Sequence, residues 1–572
     1  MEKLGKYIKP QGWYILLTMF IKLLGAASEL AIPYLMEIIL DYMVPAGSRR
    51  EIYIFGGMMF LCAALCLVFN ITANRMSALS SGRITLAIRH DLFRRLMGFS
   101  PRQMDEITVS SAVSRLTSDT YNINQLLART QRLGVRAPIL LLGGIAMMLN
   151  MDWVLSLVLI ALLPIIGIVV YFVTKTSVPL YTRQQSVLDQ VVTVVQENIT
   201  GIRVIKALSK TDYEKERFRR VNRELTEVDR KAGSVSAITN PAATLVLNLG
   251  LTLVVVAGAY RVSAGAVRSG VIVAFLQYFV MILNAMLGIT KIFVMFSKGQ
   301  ASANRVVSVL HAPEDLPLLP AADPIPGAPH IAFRNVTFSY NGREPDVENL
   351  TFSVGHGQTL GILGATGSGK TTLLLLLLRL YDPDSGTILL DGQDIRSIPP
   401  EQLRRKFGVV FQNDFVAEGT AADNIRFFRD ISDDALAQAV DFAQADFLQE
   451  RPEGLKTPVQ VRGNNLSGGQ KQRLLIARAL AAKPEVLILD DASSALDYAT
   501  DASLRQSLYR NFQDTTTVVV AQRVSSLRHA DLILVLDAGK IIGAGSHESL
   551  MADCETYRHI ALTQMGAEKE GF

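Results

Sequence analysis

Six long apolar runs constrain this chain more than any other feature. They lie near residues 12–43, 52–78, 127–149, 152–175, 240–262 and 270–297. A helix of about 20 apolar residues crosses a bilayer core, so the runs predict a bundle of six membrane helices. Hydrophobic residues make up 49% of the 572-residue chain, and its mean hydropathy is positive, the opposite of a disordered balance. The net charge of +5 does not point to nucleic acid, because the basic residues gather in loops beside the apolar runs. Runs 127–149 and 152–175 are separated only by Asn150 and Met151, which predicts a helical hairpin. The connections 79–126 and 176–239 are long, charged and helix-friendly. Arg83, Arg89, Arg94, Arg95 and Arg102 crowd the first; Lys206, Lys210, Lys215, Arg217, Arg219 and Arg220 crowd the second. The positive-inside rule puts both in the cytoplasm, outvoting Arg49 and Arg50 on the other side. They are read as membrane helices continuing far into the cytoplasm.

Within the first run, Lys22, Glu29 and Glu37 share roughly one helical face, which predicts a cavity lining or a helix–helix contact, with snorkelling near the ends of a long helix as the alternative and Glu29 the most central. Asn240, Asn248, Gln277 and Asn284 read as interhelical glue, and Met58, Met59, Met147, Met148, Met281 and Met286 offer a soft surface for apolar cargo. Cys62, Cys66 and Cys554 give no disulfide framework. Lys3, Lys6 and Lys9 precede the first run without a signal-cleavage pattern; with the compact loops, this suits a bacterial inner membrane. Residues 311–330 are proline-rich and read as a linker. Beyond them, β-branched runs alternate with helical runs and glycine turns, as in an α/β domain. The expected organisation is a transmembrane domain over 1–310, the linker, and a nucleotide-binding domain over 331–572.

In that second domain, residues 364–371 read G-A-T-G-S-G-K-T. They follow an apolar strand-like segment and open a helical run, the context a phosphate-binding loop requires. Gly364, Ala365, Thr366, Gly367, Ser368 and Gly369 let successive N–H groups face phosphate oxygens, and Thr372 extends the helix N-terminus behind them. Lys370 is placed to reach the β- and γ-phosphates, and the Thr371 hydroxyl to ligate Mg²⁺. Residues 486–491, V-L-I-L-D-D, read as a buried parallel strand with acids at its carboxyl end, and Asp490 as the Mg²⁺-side carboxylate.

The segment L-S-G-G-Q-K-Q-R at 466–473 resembles the signature of ATP-binding cassette (ABC) proteins. The resemblance extends along the whole chain. It implies that Tyr340, in F-S-Y, stacks on adenine, and that Gln412 touches Mg²⁺ and senses the transmembrane domain. It also implies that Ser494, Ala495, Leu496 and Asp497 form the loop crossing the dimer interface. Residues 114–119 and 201–208 resemble the two intracellular loops of ABC exporters. In this family Ser467, Gly468, Gly469 and Gln470 close over ATP held by the opposite domain, so a second half-transporter subunit is implied, together with ATP and Mg²⁺. The expected work is ATP hydrolysis coupled to moving a small amphipathic or apolar compound out of the cytoplasm or between leaflets.

Two positions depart from the family pattern. Asp491 stands where a glutamate polarises the attacking water, and is shorter by about 1.5 Å. Gln522 stands at the switch histidine and cannot become a cation. Val461 is a softer departure, where many exporters carry glutamate. The combination resembles the degenerate-site subunit of heterodimeric bacterial multidrug exporters: a slow ATP site of its own, and an intact signature offered to a partner carrying the consensus Glu and His. The alternatives are an exporter-shaped importer of a metal chelate and a regulatory subunit that binds ATP without hydrolysing it.

Overall fold

The computed structural model describes residues 4–313, 316–321, 323–412 and 415–570. The linker positions 314, 315 and 322 and the side chain of Asn240 lie outside the described residues. The chain divides into two compact units, Met1–Met97 with Val109–Ala312, and Gly98–Thr108 with Pro313–Phe572.

The first unit is all helix. Gly5–Met43, Arg49–Met97, Val109–Met151, Thr244–Ser263 and Ser269–Met286 carry stretches long and apolar enough to cross a membrane; in the long helix Trp153–Thr200 the described apolar stretch is Trp153–Ile165. Helix Arg49–Met97 has 49 residues, a length of about 74 Å at 1.5 Å per residue, more than twice a bilayer core. The basic connections are therefore helical extensions, as their composition predicted. The second of them turns through the short helix Ile202–Ala207 before returning as Thr211–Ala237.

The hairpin break falls at Asp152, one residue later than Asn150–Met151. Asp152 leaves helical geometry at φ −155° and caps the next helix, its Oδ1 accepting from Leu155 N at 2.8 Å. Its Oδ2 accepts from Arg261 at 2.6 Å. An aspartate that satisfies otherwise orphaned helix-start donors fixes the boundary more firmly than the pair before it.

Small and polar residues bring these helices together. Ser77 Oγ donates to Ala128 O at 2.9 Å, and Ser80 Oγ to Gln131 Oε1 at 2.9 Å. A Cβ on Gly258 would sit 2.7 Å from Ile272 Cδ1, so the backbones approach where only glycine fits. Phe275, Tyr278, Phe279 and Ile282 line one stripe of the last helix and pack with Leu155, Leu159 and Val254. In the first run, Lys22 and Glu29 make helix–helix contacts. Lys22 Nζ donates to Asn70 Oδ1 at 2.5 Å, and Arg136 grips Glu29 at 2.6 and 3.1 Å. Gln277 Nε2 approaches Met36 Sδ at 3.1 Å across two helices; Asn248 and Asn284 are exposed.

The second unit holds two main sheets. One is antiparallel, in the order β2 (Val347–Val354), β1 (Ile331–Phe338), β4 (Ser385–Leu390), β5 (Gln393–Asp394). The other runs β12 (Lys540–Gly545), β11 (Leu532–Asp537), β3 (Thr359–Gly364), β10 (Thr516–Val520), β9 (Val486–Asp490), β6 (Phe407–Val410). All of its neighbours are parallel except β11 with β12. All five residues of β9 are buried, as both-faced packing demands of a parallel strand. A short hairpin pairs β7 (Gly419–Thr420) with β8 (Pro458–Val459). The parallel ladder β3–β10–β9 brings three strand ends to one edge, and the candidate site lies there.

Candidate functional site

The loop after β3 turns sharply into helix Lys370–Leu377. Gly369 has φ +98°, a conformation other residues resist, and a Cβ on Gly364 would lie 2.4 Å from Ser368 Oγ and 2.5 Å from Leu536 O. Lys370 Nζ donates to Gly364 O at 2.8 Å and Ala365 O at 2.6 Å. Burial lowers the Lys370 pKa, while Asp490 and Asp491 pull it back up.

Asp490 ends β9 almost fully buried. Burial first, then the adjacent Asp491, raises its carboxyl pKa, the state of an acid awaiting a countercharge. Asp491 itself sits at φ +51° and is held by its N–H on Val520 O at 3.0 Å. Gln412 Nε2 makes a long contact of 3.5 Å to Asp491 Oδ2.

One cavity of about 220 Å³ unites these residues: it is lined by Thr366, Gly367, Gly369, Lys370, Thr371, Thr372, Gln412, Asp490, Asp491 and Gln522. The predicted phosphate loop, the Mg²⁺ oxygen donors and both departures thus meet in one place. The donor set fits the expected groups. Thr371, Gln412 and Asp490 offer hard oxygens of the kind Mg²⁺ takes, and the buried Ser368 hydroxyl has no hydrogen-bond partner, leaving a donor for an anion.

Tyr340 lies beside the loop, its hydroxyl 3.3 Å from Thr372 Oγ1 and its ring partly exposed. Two residues that sequence reasoning missed support it. Tyr381 packs edge-on against it at 5.2 Å, and the Tyr381 hydroxyl donates to Asp105 Oδ2 at 3.0 Å. Asp105 belongs to helix Pro101–Ile107, which folds with this unit. Only the fold pairs positions so far apart in sequence. Asp346 was missed too; it lines the cavity and accepts from Tyr340 N at 2.8 Å.

Ser467, Gly468, Gly469, Gln470 and Asp497 do not line the cavity. Ser467 caps helix Gly468–Leu480 in a reciprocal box with Gln470, the local reason for that S-x-x-Q spacing. The helix start packs on the loop after β9: a Cβ on Gly469 would lie 3.0 Å from Ala495 O. Gln472, also unforeseen, ties the two, donating to Ser494 Oγ at 3.0 Å and accepting from Ala495 N at 2.9 Å. Asp497 caps the next helix, accepting from Thr500 N at 3.0 Å; these hydrogen bonds lower its pKa.

Residues 15–286 match the family model described as the ABC transporter transmembrane region, and residues 347–494 match the family model described as ABC transporter. An uncharacterized ABC transporter ATP-binding protein of Mycobacterium tuberculosis is 33% identical, over 98% of this chain and 97% of its own length. The chain belongs to the ABC transporter family. An uncharacterized ABC transporter protein of Bacillus subtilis is also 33% identical, over 99% of each chain. A Mycobacterium bovis protein named as a fatty acid ABC transporter ATP-binding/permease protein is 33% identical over 77% of this chain and 70% of its own. In fold, this ABC transporter is similar to a bacterial Atm1-family ABC exporter solved with ATP bound, at TM-score 0.82 and 24% identity, covering 98% and 99% of the two chains. It is an integral, multi-pass membrane protein with transmembrane and ATP-binding parts fused in one chain. That makes it a half-transporter, which works with a second cassette from another chain or another copy of itself.

Proposed function

We propose that this half-transporter exports an amphipathic or apolar compound, drug- or lipid-like, at a bacterial inner membrane. In this reading it is the slow-site subunit of a heterodimer. Residues 1–310 form the transmembrane domain, 311–330 the linker, and 331–572 the cassette. The observation carrying the reading is that Asp491 and Gln522 line the same cavity as Lys370 and Asp490. Two changed side chains at one phosphate site act together on one step.

The residues divide the work as follows. The loop 364–369 and Lys370 hold the phosphates, with Thr371 and Thr372 at the helix start and Tyr340 stacked on the base. Thr371, Gln412 and Asp490 would hold Mg²⁺, which would offset the charge of the phosphates. Asp491 takes the position of the base that orients water, one methylene short. Gln522 hydrogen-bonds without adding positive charge. Ser467, Gly468, Gly469 and Gln470 serve the partner's nucleotide, and Asp497 the crossing between subunits. The relative named for fatty acids is compatible with apolar cargo, and the fold supports export.

The test is subunit composition. The chain is expressed alone and with the half-transporter encoded beside it, purified through a tag on this chain, and assayed for Mg²⁺-dependent ATPase. An inactive lone chain and an active one-to-one complex are expected. An active homodimer would mean that Asp491 is a working base, and the asymmetric reading would fail.

A further inference from the structure

Beyond the nucleotide chemistry, a second cluster sits at the other end of the parallel sheet. His330 immediately precedes β1, His356 lies in the turn between β2 and β3, and Asp391 follows β4. One ligand atom from each lies within 4.8 Å of the others. His356 Nε2 is 2.9 Å from Asp391 Oδ1, His330 Nε2 is 4.0 Å from the same oxygen, and the two rings stack at 4.0 Å.

Two facts set this cluster apart from an ordinary hydrogen-bonded group. His330 is 1% exposed, and its Nε2 has no hydrogen-bond partner. Asp391 Oδ1 is likewise buried and unpartnered, its close approach to His356 lacking hydrogen-bond alignment. Unmade bonds at buried polar atoms are costly, and two facing one another require an explanation.

The surroundings fix what His330 offers. Thr516 Oγ1 accepts from Gly357 N at 3.1 Å and donates to Gly355 O at 3.3 Å. With its hydroxyl proton so used, the 2.7 Å contact to His330 Nδ1 is satisfied by Nδ1–H donating to Thr516 Oγ1. That tautomer leaves a bare lone pair on Nε2, aimed at Asp391. A histidine whose far nitrogen is anchored by a hydrogen bond is the arrangement found around ligating imidazoles. Burial, with His356 alongside, favours the uncharged ring. Lys406 Nζ lies 3.6 Å from Asp391 Oδ2 and 2.7 Å from Glu485 Oε2, so it engages the other carboxylate oxygen and leaves Oδ1 to the two histidines.

We propose that His330 Nε2, His356 Nε2 and Asp391 Oδ1 form a binding site for one divalent transition-metal ion of the Zn²⁺ class. Two imidazoles and one carboxylate suit Zn²⁺ and its neighbours, and disfavour Mg²⁺ and Ca²⁺, which take oxygen. Around Zn²⁺ such ligand atoms lie about 3.3 Å apart. His330 Nε2 and Asp391 Oδ1, 4.0 Å apart, need to close by only about 0.7 Å to reach that spacing, and His356, exposed and on a turn, is free to readjust around them. The metal would join the antiparallel sheet, through His330 and Asp391, to the β3 and β10 starts, through His356 and Thr516. The phosphate loop is at the opposite end of β3, about 17 Å away at a strand's rise per residue. Binding there is separable from the nucleotide chemistry.

The test uses the full chain in detergent, purified through a histidine-free tag, stripped with chelator and titrated with Zn²⁺ against a chromophoric chelator, without nucleotide. One saturable equivalent per chain is expected, undisturbed by millimolar Mg²⁺. His356→Ala and Asp391→Asn each remove it, and Thr516→Val weakens it about 10- to 100-fold, as loss of a supporting hydrogen bond does. His356→Ala keeps binding a fluorescent ATP analogue, which certifies its fold; should Asp391→Asn not, His356→Ala decides alone. No saturable equivalent in the parent, an equivalent that survives His356→Ala, or displacement by Mg²⁺ overturns the proposal.

Discussion

Asp491 and Gln522 are where single residues weigh most. A carboxylate misplaced by about 1 Å can lose roughly a hundredfold in rate. Replacing Asp491→Glu and Gln522→His together should therefore raise steady-state ATPase of the assembled complex, by about ten- to a hundredfold at this site. No gain would mean that those two positions do not set its rate. Lys370→Ala should abolish binding of a fluorescent ATP analogue to this chain's cavity, since no other cation among the described residues lines it. The phosphate loop and Asp490 were legible from sequence because their chemistry is local: glycines, a lysine and a hydroxyl in register, and an apolar strand ending in acids. Asp346, Tyr381 and Asp105 were not. Their roles arise from contacts between positions up to 276 apart, which carry no local periodicity. The face shared by Lys22 and Glu29 was readable, but not its partners, because Asn70 and Arg136 lie on other helices.

Among elements, the signature helix Gly468–Leu480 and the loop after β9 are joined through Gln472. Gln472→Ala removes both bonds while leaving Ser467, Asp490 and the cavity untouched. In the complex it should lower ATPase several-fold without weakening nucleotide binding by this chain; equal loss of both would place the effect in folding. Ser467→Ala removes the helix cap, at about 1 kcal/mol, read as a lower melting temperature of the cassette. The strand pattern was clear because parallel strands buried on both faces must be apolar along their whole length. The Asp152 boundary was off by one residue because capping geometry, unlike hydropathy, is decided by a single side chain.

On the scale of the molecule, the two units have separate cores. One cluster runs through Phe275, Tyr278 and Phe279, and another through Ile331, Leu360, Leu374 and Val518. Ligand bound at 100 times its Kd stabilises by about 2.7 kcal/mol. ATP with Mg²⁺ should thus raise only the cassette transition in calorimetry, and Lys370→Ala should abolish that rise. A single transition moving as one would show the cores to be coupled. The division between units also has a topological consequence. Gly98–Thr108 folds with the second unit although it lies between two helices of the first. The polypeptide therefore passes between the units at three places, after Met97, after Thr108 and after Ala312. A protease that cleaves the proline-rich stretch severs only the last of these. The cassette would keep its hold on a helical segment of the other fragment, so the nicked protein should still purify as one particle.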